Sequence, residues 1–197
     1  MSRAVWLVLV GIISVQAGAA IAKDLFGTIS PTSMVFLRLA TSALVLLAVA
    51  RPTVRARSRG DWLVVVAFAL SLGLMNWAIY QSFARIPLGI AVTIEFIGPL
   101  TLAAVGFRRR RDLAWVALAA AGVALLGLER TALDPAGVAF AVVAGAAWAA
   151  YILLSARTGR RWPGLDGLAI ASAIATLLFT APAAVSGVRA CWTPACW

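Results

Sequence analysis

Runs of about twenty apolar residues recur along this chain, and few folds can accommodate them. Crossing about 30 Å of hydrocarbon at about 1.5 Å per residue takes roughly twenty residues. Runs of that kind lie at 4–22, 32–50, 62–81, 87–106, 113–128, 136–155 and 167–187. They nearly fill the 197 residues and leave no soluble domain. A hydrophobic fraction of 63% with only 12% charged residues exceeds what a soluble core needs. Inside lipid the backbone polar groups must be paired, which runs of this length do as helices, so the expected class is all-α, a polytopic membrane protein of about seven transmembrane helices. The first run continues into Lys23-Asp24 and another span without a small-residue cleavage site, so it reads as a retained span and not as a leader.

The basic residues fix an expected orientation. Arg3, then Arg51, Arg55, Arg57 and Arg59, then Arg108 to Arg111, then Arg157, Arg160 and Arg161 fall on one side, twelve of the seventeen. Lys23, Arg85, Arg130 and Arg189 fall on the other, and Arg38 lies within a span. Short loops rich in Lys and Arg stay in the cytoplasm, which places the N-terminus there. Trp6, Trp62, Trp115 and Trp162 begin spans one, three, five and seven on that same side, where indole rings sit well at the lipid headgroups.

Several function classes are unsupported. The net charge of +10 falls in short loops between spans rather than on one continuous face, so it suits anionic lipid headgroups and not nucleic acid. The chain has no histidine, and its two cysteines, Cys191 and Cys196, stand together in the closing CWTPACW, which makes neither a zinc site nor a disulfide framework. Paired carboxylates, a glycine-rich phosphate loop and a serine nucleophile elbow are all missing, so the expectation is no enzyme and no cofactor.

The candidate site centres on PLGIAVTIEFIGP at 87–99, which carries Glu95 inside a membrane span. Ionisable groups at membrane depth are costly and mark substrate or proton pathways. Glu95 reads as a proton-coupling group or as a partner for a substrate ammonium; the competing reading is that it merely neutralises Arg38. Arg38 reads as a contact for a substrate carboxylate, or as a side chain that pairs or snorkels. Arg38, Glu95 and Gln16 each lie seven or eight residues in from a span end, about 10–12 Å deep, with Asn76 slightly shallower. Four polar side chains at one level point to a shared aqueous cavity, with Thr41 and Ser42 extending a polar stripe from Arg38. Gln16 and Asn76 read equally as interhelical hydrogen bonds. Pro87 reads as a helix start and Pro99, beside Gly98, as a kink. Trp77, Tyr80 and Trp148 read as belt or packing residues, and Gly11, Gly18, Ala91, Gly98, Gly122 and Gly145 as positions of close helix packing.

Span one, WLVLVGIISVQAGAAIAKDLFG, is echoed by span six, GVAFAVVAGAAWAAYILLSARTG. A repeat unit of five spans is odd, so a second copy enters from the opposite face, which is inverted-repeat transporter architecture.

The pieces SVQAGAAIAKDLF at 14–26, FLRLA at 36–40, LMNWAIYQSF at 74–83, PLGIAVTIEFIGPL at 87–100 and DPAG at 134–137 resemble the EamA-type drug/metabolite transporters, and within them the bacterial threonine/homoserine exporters. The resemblance spans residues 1 to about 187 and implies a ten-helix, inner-membrane exporter of small amino acids driven by the proton gradient. It assigns 1–130 to a first repeat of five helices and 131–187 to the start of a second, whose last three helices have no counterpart here. If GC-rich codons are assumed for Ala190 to Trp197, another frame encodes LLDPGLL, so residues 188–197 read as an aberrant, frameshifted tail. The expected function is export of a threonine- or homoserine-like amino acid by proton-driven alternating access. The alternative is a non-transporting membrane fragment, or one that works only as an oligomer whose partner copy covers the unpartnered helix faces.

Overall fold

The computed structural model describes residues 29–54, 57–106, 117–118, 121, 125 and 133–191, with side chains as far as residue 185. Five helices make up this part: α1 (Pro31–Ala50), α2 (Arg59–Phe83), α3 (Leu88–Gly106), α4 (Pro135–Arg161) and α5 (Asp166–Cys191). Each contains a stretch long and apolar enough to cross a membrane, and among the described residues there is no strand. The protein is a multi-pass membrane protein. The helices coincide with the expected spans two, three, four, six and seven; span one lies outside the described residues, as does span five apart from four helical positions.

Local chemistry sets the helix starts. Ser30 accepts from the Ser33 amide at 3.1 Å and Pro31 follows as the first helical residue of α1. Ser58 and Asp61 form a reciprocal capping box at the start of α2, with N···O distances of 3.1 and 3.2 Å. Asp134 accepts from the Ala136 amide at 3.0 Å and Pro135 opens α4. These caps satisfy amides that a helix cannot pair internally, with proline placed where its missing N–H is harmless. Asp134→Ala should lower stability by about 1 kcal/mol, measured as a shift in unfolding in mixed detergent micelles, and an unchanged transition would remove the cap from the account.

Packing runs mainly between the helices before residue 130 and those after it. The most extensive seams are α2 on α4 and α1 on α5, followed by α3 on α4 and α2 on α5. Lipid is as apolar as a leucine side chain, so helices in a membrane associate through close contact between small residues. Ala78, Ala91, Ala141, Ala144, Ala169, Ala171 and Ala175 are accordingly fully buried, while Leu44, Val49, Leu63 and Val105 face outward. Glycines set the tightest approaches: a Cβ on Gly73 would stand 2.9 Å from the Phe179 ring, and one on Gly137 2.7 Å from Ile86.

Each end of the bundle is tied. At the end away from the arginine-rich loops, Arg85 pairs with Asp134 at 3.9 Å, donates to Gln81 and lies over the Phe140 ring, 4.9 Å from its centroid. At the arginine-rich end Arg161 pairs with Asp61 at 3.2 Å, and Asp166 accepts from the amide and hydroxyl of Thr53. Trp162 departs from expectation there. It is 1% exposed, whereas Trp62 is 37% exposed, so of these two only Trp62 has the exposure of an interfacial belt residue. Gly167 makes the difference, because a Cβ there would lie 3.0 Å from that of Trp162. Trp6 and Trp115 lie outside the described residues.

Candidate functional site

Three helices position the candidate site. On α1, Val35 and Leu39 are buried among the neighbouring helices, and Arg38 lies between them, half-buried. Its Nη1 donates to the Tyr80 hydroxyl at 3.2 Å, and the guanidinium carbon is 5.9 Å from the centre of that ring. Tyr80 is itself buried on α2. Arg38 therefore points toward the bundle rather than snorkelling along lipid.

Glu95 lies half-buried on α3, opposite in charge to Arg38 on α1. The two do not touch as an ion pair: among the described residues, the pairs are Arg85 with Asp134 and Arg161 with Asp61. Mutual neutralisation by direct contact is thus not what holds either group. The carboxyl group and a guanidinium already engaged by a phenol thus stand on separate helices, with the two charges held apart.

The other expected members divide. Asn76, buried on α2 one turn before Tyr80, spends its amide on the Leu72 carbonyl at 2.8 Å within its own helix. That bond is neither an interhelical tie nor a contact with Glu95. Thr41 and Ser42 are exposed, and the Thr41 hydroxyl donates back to the carbonyls of Leu37 and Arg38, so these two residues face away from the bundle while Arg38 faces into it. Short polar side chains satisfy themselves this way inside helices, so Thr41 offers no free hydroxyl to a cavity. Gln16 lies outside the described residues.

Pro99 sits inside α3, three residues after Phe96, whose ring meets Trp148 of α4 edge-on at 4.9 Å. Between them, Gly98 and Gly145 bring the two backbones together. A Cβ on Gly98 would fall onto the Gly145 carbonyl, and one on Gly145 would lie 2.7 Å from the Glu95 carbonyl oxygen. Beside this contact an apolar groove of about 410 Å³ runs between α3 and α4, lined by residues that include Ile94, Ile97, Val105, Val142 and Ala149.

Two participants escape a reading of the sequence. Tyr80 reads there as packing, although its spacing of four from Asn76 places a phenol and an amide on one helix face. Gly145 reads as packing alone, and nothing in the sequence indicates that it faces the backbone of Glu95.

No family model and no solved structure matches the chain. Curated proteins do. The threonine/homoserine exporter RhtA of Salmonella typhimurium strain LT2 is 38% identical over 195 residues, covering 95% of this chain and 66% of the relative. The exporter of the same name from Escherichia coli strain K12 is 39% identical over the same span and coverage. The chain therefore spans 66% of the length of the curated relatives it matches. The similarity takes in 95% of this chain, so the chain belongs to the EamA-type drug/metabolite transporters and is similar to the threonine/homoserine exporters among them.

Proposed function

We propose that this chain serves export of a threonine- or homoserine-like amino acid across the bacterial inner membrane, by alternating access coupled to the proton gradient. The similarity to threonine/homoserine exporters along nearly the whole chain carries the reading. Glu95 is the acidic group that the described helices hold away from their ends, and a carboxyl group there suits proton uptake and release along a pathway. Arg38 meets the substrate carboxylate, with Tyr80 fixing the direction of the guanidinium. The N-terminus lies in the cytoplasm, an orientation that the distribution of arginines supports.

The test is export of labelled threonine from proteoliposomes with and without an imposed pH gradient. Accumulation that follows the gradient supports the reading, and flux no greater than in empty vesicles overturns it for this chain. A second reading rests on the apolar groove between α3 and α4: the active unit is an oligomer in which further helices cover that face. Transport that rises with the square of protein density in the vesicles is its signature; a linear rise removes it.

A further inference from the structure

We propose that Gly145 is a positioning residue for Glu95, acting through the Glu95 main-chain carbonyl; the inference rests on the transport role of Glu95 given above. In a regular helix that carbonyl accepts from the amide four residues on, which here is Pro99. Proline has no amide hydrogen, and its ring pushes against the carbonyl four residues before it. The Glu95 oxygen thus loses the donor that a regular helix would give it. At membrane depth such a group requires a partner from a neighbouring element.

The neighbour is Gly145. The hydrogen of Gly145 that a Cβ would replace points at the Glu95 oxygen, since a Cβ built there would stand 2.7 Å from it. A Cα–H meeting a carbonyl is a recurrent contact between closely packed helices, individually weak and strongly dependent on approach distance. Gly98 allows that approach from the other side, because its own Cβ would fall on the Gly145 carbonyl. The two backbones lock reciprocally one turn from Pro99, and the edge-on contact of Phe96 with Trp148 flanks them. Pro99 releases the carbonyl, Gly145 receives it, and the Cα that bears the Glu95 side chain is fixed to α4 rather than to α3 alone. Movement of α4 then displaces the carboxyl group directly.

The chain contains only two glutamates, Glu95 and Glu129, which makes the carbonyl observable. Carbonyl-13C glutamate incorporated into the Glu129→Gln protein labels Glu95 alone, and its infrared amide I band reports the strength of the bond the oxygen accepts. In the otherwise native chain the band should lie at higher wavenumber than in Pro99→Ala, where residue 99 regains an amide hydrogen. Gly145→Ala should shift the band again and lower gradient-driven threonine export by about tenfold, the scale expected when a reacting group is displaced by a fraction of an ångström or more. A band at the same wavenumber in the native chain and in Pro99→Ala overturns the proposal even if Gly145→Ala does not fold. So does a folded Gly145→Ala protein whose band is unmoved. Band shifts as expected, with no gradient-driven export in the unmutated chain, would leave the contact standing and count against the transport reading alone.

Discussion

Replacing Glu95 by Gln should uncouple transport from the proton gradient: downhill exchange of threonine persists, while gradient-driven accumulation falls by at least about tenfold relative to it, a barrier or driving-force change of roughly 1.4 kcal/mol or more. Glutamine keeps the length and much of the hydrogen-bonding capacity of glutamate but neither binds nor releases a proton. The substitution therefore isolates titration from shape. It also separates the roles open to Glu95. If the carboxylate held a substrate ammonium instead, Glu95→Gln would weaken exchange and accumulation together, because the charge-assisted bond is lost in both. If it only balanced Arg38, neither flux would change much, and the absence of a direct ion pair between them already argues that little is lost there. The discriminating measurement is the ratio of the two fluxes in the same vesicles, which cancels differences in the amount of protein inserted. An unaltered ratio would remove the coupling role.

The span positions were legible because hydropathy over twenty residues is a strong signal, and α1 to α5 begin and end within a few residues of expectation except where α2 and α4 extend into their polar ends. The motif at Asp134 to Gly137 was legible in outline, and its chemistry is now plain: Asp134 caps, Pro135 starts, and Gly137 makes room for Ile86. What the sequence concealed is which way each helix faces. In a soluble helix an apolar stripe marks the buried side, but a span that is apolar all round carries no such mark. Arg38 and Thr41 therefore looked equivalent, although one turns inward to Tyr80 and the other bonds back to its own helix. Glycine-mediated contact was equally hidden, since Gly145 stands among alanines at 144, 146 and 147 that look alike in composition. Only the approach of α3 singles out one of them.

The tie at the arginine-rich end leads to the largest expected effect on stability. Trp162 follows the last turn of α4 and is wedged among Val65, Phe68, Ile170 and Ala171, with its indole nitrogen donating to the Asp61 carbonyl at 3.4 Å. Trp62 meets it edge-on at 5.7 Å, and the Arg57 guanidinium covers its face at 4.4 Å while donating to the Arg161 carbonyl. One ring thus joins the start of α2, the end of α4 and the start of α5, and Gly167 leaves the room it needs, since a Cβ there would stand 3.0 Å from that of Trp162. Trp162→Ala should destabilise the chain by about 3 to 5 kcal/mol, read from unfolding in mixed micelles. Trp62→Ala should cost far less, because that ring is already partly exposed. Trp162→Phe separates packing from polar contacts: it keeps a ring for Arg57 but loses the hydrogen bond to Asp61, and should fall between the two. Breaking the Arg161 to Asp61 pair alone should cost far less than Trp162→Ala, since Arg161 is open to solvent and such pairs are weak. If Trp162→Ala proved as mild as Trp62→Ala, the ring would not be the joint between these helices, and the burial seen here would carry little energy.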